Sequence, residues 1–78
     1  MDKARLITLI RDIVSNGMMA EIKGDDDKFM IDSFVMMLLL TAIEENFSVG
    51  VDIEQFDFDQ TVSVLSLADT FVRYAHAL

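Results

Sequence analysis

Apolar residues recur at helical spacing near the start of the chain. They fall three or four positions apart at Leu6, Ile10, Ile13 and Val14, with charged residues on much of the opposite side. This spacing predicts an amphipathic helix over residues 3–16. We expect the helix to stop at Asn16 and Gly17, because glycine can take the left-handed conformation that often closes a helix.

A long irregular connection is predicted over residues 17–32. The stretch contains Gly17, Gly24 and the acidic run Asp25-Asp26-Asp27, and such residues interrupt regular structure. Five apolar side chains are expected to hold it against the core: Met18, Met19, Ile22, Phe29 and Ile31.

A second helix is predicted from Ser33 to Asn46, ended by the residues from Phe47 to Gly50. Every residue from Phe34 to Ile43 is apolar except Thr41, so the apolar surface runs almost all the way round. We therefore expect this helix to be central. One side should pack on the other helices through Met36, Met37, Leu40 and Ile43.

After the second helix we expect a loop, then a short helix, and then the final helix of the chain. Residues 51–59 alternate weakly, but a lone short strand would have no partner, so we expect a packed loop. A short helical turn is predicted at 59–62, and Ser63 or Ser66 can cap the last helix. That helix would carry Val64, Leu67, Ala68, Phe71, Val72 and Ala75. The predicted fold is an all-α four-helix bundle, with three main helices and one short helix, forming a single domain over 1–78.

Composition and charge narrow the range of partners. The chain has 78 residues, 53% of them hydrophobic, no cysteine and a net charge of -8. This charge repels phosphate backbones and anionic lipid, which disfavours nucleic acid and favours a partner with a basic docking surface.

The longest apolar run, from Phe34 to Leu40, is too short to span a membrane, and Met1–Leu6 shows no leader pattern. We expect a soluble, cytoplasmic monomer.

The chain offers little for catalysis or metal binding. Ser33 would need a base to act as a nucleophile, and the only histidine is His76, which we expect to be frayed near the C-terminus. The acidic run lacks the ligand spacing of an EF-hand, and there is no cysteine to join a histidine in a zinc site. The expectation is therefore a protein without catalytic residues or a metal.

Ser33 stands at the start of the most apolar helix, beside Asp32. One interpretation is that Asp32 or Ser33 is an ordinary N-cap. The other is that the serine hydroxyl is presented as an acceptor, since the free N–H groups and positive dipole end of a helix start favour a phosphodiester.

An ordered set of motifs resembles the acyl carrier proteins and the related peptidyl, aryl and aminoacyl carriers. Ile31-Asp32-Ser33-Phe34 is similar to the signature whose serine receives 4′-phosphopantetheine. Three later stretches also resemble the family: Ala42 to Phe47, Val51 to Phe56, and Ser63 to Ala68. The resemblance covers residues from about 29 to 75, and the first helix is compatible with it.

The departures from the family pattern are informative. Many carriers have glycine where this chain has Met30, and fatty-acid carriers usually place acidic residues at the positions of Val35 and Leu38. The chain most resembles D-alanyl carriers and the small stand-alone carriers of natural-product pathways.

The resemblance implies a non-catalytic carrier of an acyl, aryl or aminoacyl thioester. Ser33 would hold the phosphopantetheine arm, and Asp32 would support recognition by the phosphopantetheinyl transferase or metal positioning in that complex. The further partners implied are an adenylating or acyl-transferring enzyme that loads the arm and a condensing or transferring enzyme that unloads it.

We expect the partner-binding face to be a stripe of the second helix. It comprises Phe34, Leu38, Thr41 and Glu45 by helical spacing, with Glu44 beside it. Two other interpretations stay open. One is a cofactor-free helical module that binds a partner helix through Phe34 and Leu38, and the other is a carrier fold that is never modified.

Overall fold

The chain folds into three helices and one two-stranded sheet in a computed structural model, which describes residues 1–18, 21–53 and 56–78. The elements are, in order, α1 (Lys3–Gly17), α2 (Ser33–Phe47), β1 (Val49–Val51), α3 (Val64–Tyr74) and β2 (Ala75–Ala77). The three predicted main helices are confirmed, and the described part of the chain is mostly helical.

One core unites the three helices. Each helix buries a stripe at three- and four-residue spacing, because only that side faces its neighbours. The buried side chains are Leu6, Ile10 and Val14 of α1, Val35, Met36, Leu39 and Ile43 of α2, and Val64, Leu67, Ala68 and Phe71 of α3. Burying each of the larger ones contributes roughly 1.5–3 kcal/mol.

Met37 does not belong to this core, and the prediction that it packs inward is wrong. Its side chain is 67% exposed, whereas Met36 beside it is 5% exposed. Ile43 is buried and Leu40 is half-buried, as expected. An apolar helix in a three-helix protein has a side with nothing to cover it, and composition could not show which side that is.

The end of α1 is predicted correctly in position but not in mechanism. Gly17 is the last helical residue, and no glycine in the described residues has a positive φ. Instead, Met18 stays near the helical region and donates its N–H to the Val14 carbonyl at 2.9 Å. A Cβ on Gly17 would lie 3.2 Å from Val35 Cγ2, so the glycine allows the end of α1 to approach α2.

A capping box fixes the start of α3. Of the two candidate caps, Ser63 is the N-cap: its side chain accepts a hydrogen bond from the Ser66 N–H at 3.1 Å, and the Ser63 N–H donates to Ser66 Oγ at 2.8 Å. The backbone N–H groups of Ser63 and Ser66, which have no partner within the helix, are thereby both hydrogen-bonded. The helix ends at Tyr74, so Ala75 lies in β2 instead, and Val72 is exposed.

The connection between α1 and α2 is held by the predicted apolar anchors and by polar contacts. Ile31 is buried, Met18, Ile22 and Phe29 pack against the core, and Met19 lies outside the described residues. In addition, Arg11 Nε donates to Asp25 Oδ1 at 2.9 Å, and the Asp25 carbonyl accepts from the Leu65 N–H at 3.0 Å.

The predicted short helix at 59–62 is not formed. The chain makes a turn in which the Gln60 N–H donates to the Asp57 carbonyl at 3.4 Å, and Val62 then pairs with Phe29 in an isolated antiparallel bridge. The backbone groups of Val62 are used by a distant segment, so the described residues form three helices instead of the predicted four.

The predicted loop over 51–59 is confirmed for residues 52–53 and 56–59. Val51, however, lies in a short strand that was not predicted, and this strand has a partner. β1 pairs with β2 in antiparallel register, with Gly50 opposite His76. His76 is therefore part of a sheet and is not frayed, and its Nδ1 lies 3.3 Å from Asp52 Oδ2.

No helix among residues 1–18, 21–53 and 56–78 has both the length and the apolar character needed to cross a bilayer.

Candidate functional site at the start of the second helix

Asp32 is the N-cap of α2. Its backbone is extended, with φ -91° and ψ 169°, and its Oδ1 accepts a hydrogen bond from the Val35 N–H at 2.8 Å. Its carbonyl begins the helical ladder by accepting from the Met36 N–H at 3.0 Å. Asp32 therefore caps one of the free N–H groups of the helix start, that of Val35, whereas the Ser33 hydroxyl caps none among the described residues.

Ser33 is the first helical residue and is exposed. Its hydroxyl makes no hydrogen bond with any of the residues that the structure describes, in contrast to Ser63 at the start of α3. The hydroxyl also lies at the positive end of the α2 dipole, which stabilises a negatively charged group. It is thus available for chemistry without loss of a structural contact.

A shallow depression surrounds the serine. It has a volume of about 410 Å³, and its lining residues are Met30, Ile31, Asp32, Ser33 and Phe58. Ile31 anchors one wall in the core, and Phe58 comes from the loop just before the position of the predicted short helix. The depression is therefore built from the connection before α2, the start of α2 and the segment around Phe58. Of its lining residues, the sequence predicted only Asp32 and Ser33 as part of the site.

Large exposed apolar side chains extend from this depression along α2. We call Met30, Phe34, Met37, Leu38 and Phe58 the apolar patch; Phe34 is 65% exposed and Met30 is 50% exposed. Met37 lies one turn along the helix from Ser33, because residues four apart share a side. Phe34, Met37 and Leu38 share one side of α2 by helical spacing, and Met30 and Phe58 line the depression at its start, so this surface is a candidate for contact with another protein.

Of this patch, the sequence predicted Phe34 and Leu38 and missed Met30, Met37 and Phe58. The spacing of four between Ser33 and Met37 could have placed Met37 on the serine side. The position of Phe58 depends on a distant part of the chain and left no local signal.

The predicted partner-binding stripe is exposed along the α1 side of α2. Leu38, Thr41 and Glu45 line one groove of about 500 Å³, whose other wall includes Ile13 and Gly17. Phe34 lies one turn before Leu38, and Glu44 is exposed beside Glu45. The stripe is thus apolar near Ser33 and acidic toward the end of the helix.

The acidic end of this stripe is free of intramolecular ion pairs within the described part of the chain. The ion pairs found there join Lys3 to Asp69 and Arg11 to Asp25, and the His76 imidazole lies beside the Asp52 carboxylate. Glu44 and Glu45 therefore keep their charges available to a basic surface on another molecule.

The only histidine of the chain does not lie near Ser33, so it does not serve as a base for this hydroxyl. His76 pairs opposite Gly50, just beyond the far end of α2, and a helix of this length spans roughly 20 Å. Among the described residues, no group of three or more histidine, aspartate or glutamate side chains could hold a metal ion.

Comparisons with family models, curated proteins and solved structures find no match to this chain.

Proposed function

We propose that the protein carries an acyl, aryl or aminoacyl group as a thioester on a 4′-phosphopantetheine arm attached to Ser33. The observation that most supports this is the division of roles at the start of α2. Asp32 caps the helix through the Val35 N–H at 2.8 Å, which leaves the exposed Ser33 hydroxyl without a structural task among the described residues. The resemblance of the surrounding motifs to carrier proteins supplies the identity of the arm.

The proposal includes the fold family. α1, α2 and α3 would correspond to the three main helices of an acyl-carrier-like bundle, with the segment around Phe58 in the place of the short fourth helix. The family resemblance, and not a structural match, supports this finer assignment.

Attachment would be a phosphoryl transfer from coenzyme A catalysed by a phosphopantetheinyl transferase. A bond forms between Ser33 Oγ and the phosphorus that bears pantetheine, the pyrophosphate linkage breaks, and 3′,5′-ADP leaves. The serine proton passes to a base of the transferase. Ser33 provides the acceptor oxygen, and the dipole of α2 stabilises the resulting phosphodiester.

The residues around Ser33 fit such a group. The depression is open and large enough for the start of an arm, and Met30 and Phe58 offer it apolar walls. When bound, the arm would supply a terminal thiol, and the chain itself contains no cysteine to compete with it. Asp32 holds Ser33 in place by fixing the start of the helix, and it would also support transferase recognition.

The exposed stripe of α2 would position the partner enzymes. Phe34 and Leu38 would bury apolar surface against a partner, while Glu44 and Glu45 would meet its basic residues. Such charge complementarity raises encounter rates and suits brief contacts with several enzymes in turn. The partners proposed are the transferase, a loading enzyme that adenylates or transfers an acyl group, and an unloading enzyme that condenses or transfers it.

Leu38→Glu tests the docking role of this stripe. Leu38 is exposed, so the variant should keep its helicity, while a charge in the apolar contact should slow transfer by the cognate enzyme roughly tenfold. Transfer kinetics and circular dichroism should be measured together. Unchanged kinetics would show that Leu38 does not contact the enzyme.

Intact mass is the direct test of the proposed function. The protein is incubated with coenzyme A, magnesium and a broad-specificity phosphopantetheinyl transferase, and Ser33→Ala is the control. A gain of one phosphopantetheine by the natural sequence alone would support the carrier function. No gain by a folded protein would favour the cofactor-free helical module, and partner binding unaffected by Ser33→Ala would point the same way.

A further inference from the structure

Two exposed methionines flank Ser33. Met30 lines the same depression as the serine and is 50% exposed, and Met37, one helical turn from Ser33, is 67% exposed. Neither side chain is needed in the core. Met36, next to Met37, is buried and shows how differently the same residue type is placed in this helix.

Exposure makes these two thioethers accessible to oxidants. A peroxide transfers one oxygen atom to the methionine sulfur; the sulfur loses two electrons and the peroxide is reduced to water or an alcohol. The product is methionine sulfoxide, which is polar and chiral where the thioether was flexible and apolar. The buried thioether of Met36 is shielded from this reaction by the core.

The position of these thioethers gives the reaction a consequence at Ser33. Met30 and Met37 belong to the apolar patch, together with Phe34, Leu38 and Phe58. A sulfoxide oxygen in this patch would have to be buried, without an assured hydrogen-bond partner, when another protein covers the serine. Burying such a group is unfavourable, so the oxidised patch should bind partners less well.

We propose that Met30 and Met37 form a peroxide-sensitive modification site, and that sulfoxide formation there weakens the docking of proteins that act on Ser33. The second half of this inference rests on the proposed carrier function. The first half depends only on the exposure of the two side chains.

Peptide mapping tests the modification site. The folded protein is treated with limiting hydrogen peroxide, and sulfoxide at each methionine is followed by mass spectrometry. Met30 and Met37 should be oxidised well before Met36, and unfolding the protein in urea should remove this order. Oxidation of Met36 at the same rate as Met37 in the folded protein would overturn the assignment.

Transfer of phosphopantetheine to Ser33 tests the docking half. After oxidation, the rate should fall roughly tenfold, as expected for burial of an unpaired polar group. The double variant Met30→Leu with Met37→Leu should keep its rate after peroxide treatment. Met36→Leu is the matched control, and it should remain as sensitive as the natural sequence.

The outcomes separate this inference from the proposed function. If the untreated protein is modified and the oxidised protein is modified equally fast, the docking half is wrong and the carrier function stands. If the untreated, folded protein is not modified, both the carrier function and the docking half fail, while peptide mapping still decides the modification site. Recovery of the rate after treatment with methionine sulfoxide reductases would attribute the loss to sulfoxide alone.

Discussion

The Asp32 carboxylate accepts a hydrogen bond from the Val35 N–H at 2.8 Å, while the Ser33 hydroxyl makes none with the described residues. Removing the two side chains should therefore have different effects on stability. Asp32→Ala should lower the free energy of unfolding by about 1 kcal/mol, the usual cost of losing an N-cap, and Asp32→Asn should restore most of it. Ser33→Ala should change it by less than about 0.5 kcal/mol.

Urea denaturation of the three variants would measure these differences. A loss in Ser33→Ala as large as that in Asp32→Ala would mean that the serine caps the helix, and would remove the main support for its role as an acceptor.

Gly50 and His76 face each other across the sheet at very short range. A Cβ on Gly50 would lie 2.7 Å from His76 Nε2 and 2.8 Å from Cε1, closer than real Cβ contacts allow. Since the imidazole is the end of a flexible, half-exposed side chain, Gly50→Ala should displace the ring from Asp52 rather than unfold the protein. We expect altered imidazole proton shifts in the NMR spectrum and a stability change below about 1 kcal/mol.

Gly50→Ala combined with His76→Ala is the matched control for this contact. Outside residues 49–51, whose amide shifts change with the substitution itself, the double variant should show the same amide shifts as His76→Ala alone, including those of β2. Further disturbance of both strands in the double variant would show that the glycine is required by the backbone and not by the ring.

At the scale of the helix, α2 presents adjacent methionines to opposite environments. Met36→Ala should cost roughly 2–5 kcal/mol, because it leaves a cavity in the core, whereas Met37→Ala should change stability by less than about 0.5 kcal/mol. Urea denaturation would give both values. Equal costs at the two positions would contradict the orientation of α2 described above and with it the apolar patch.

The helices could be predicted because their signals are local. Spacing predicted the first helix to within one residue. For the last helix, the cap is Ser63, one of the two predicted candidates, and the helix ends one residue before Ala75. Met37 could not be placed, since an apolar helix needs the packing of its neighbours to define its inner side. Hydropathy does not contain that information.

The elements that were missed depend on contacts between distant residues. β1 is three residues long and pairs with β2 near the C-terminal end of the chain. Val62, which was predicted to be helical, instead pairs with Phe29 in a β-bridge. Neither segment has a pattern of its own strong enough to indicate the pairing. The same is true of the site: Ser33 and Asp32 were predicted from a motif, whereas Phe58 reaches the serine only through the tertiary fold.

At the scale of the whole molecule, the net charge of -8 should make partner association sensitive to salt. If Glu45 lies on the docking face, Glu45→Lys should slow association with the transferase more than Asp12→Lys does. Asp12 is an exposed residue of α1, and its replacement by lysine changes the net charge by the same amount. Association rates at low and high salt would be compared. Equal slowing by both variants would mean that only overall charge matters and that Glu45 does not meet the partner.

The bridge between Phe29 and Val62 has a consequence for the order in which the molecule assembles. Its two backbone hydrogen bonds, of 2.8 and 2.7 Å, join the connection that carries Met30 to the segment that carries Phe58. Closing so long a loop costs chain entropy before any contact repays it, while helices form from neighbouring residues. The walls around Ser33 should therefore become ordered after α2 itself, so that during folding the serine is accessible before the depression around it is complete.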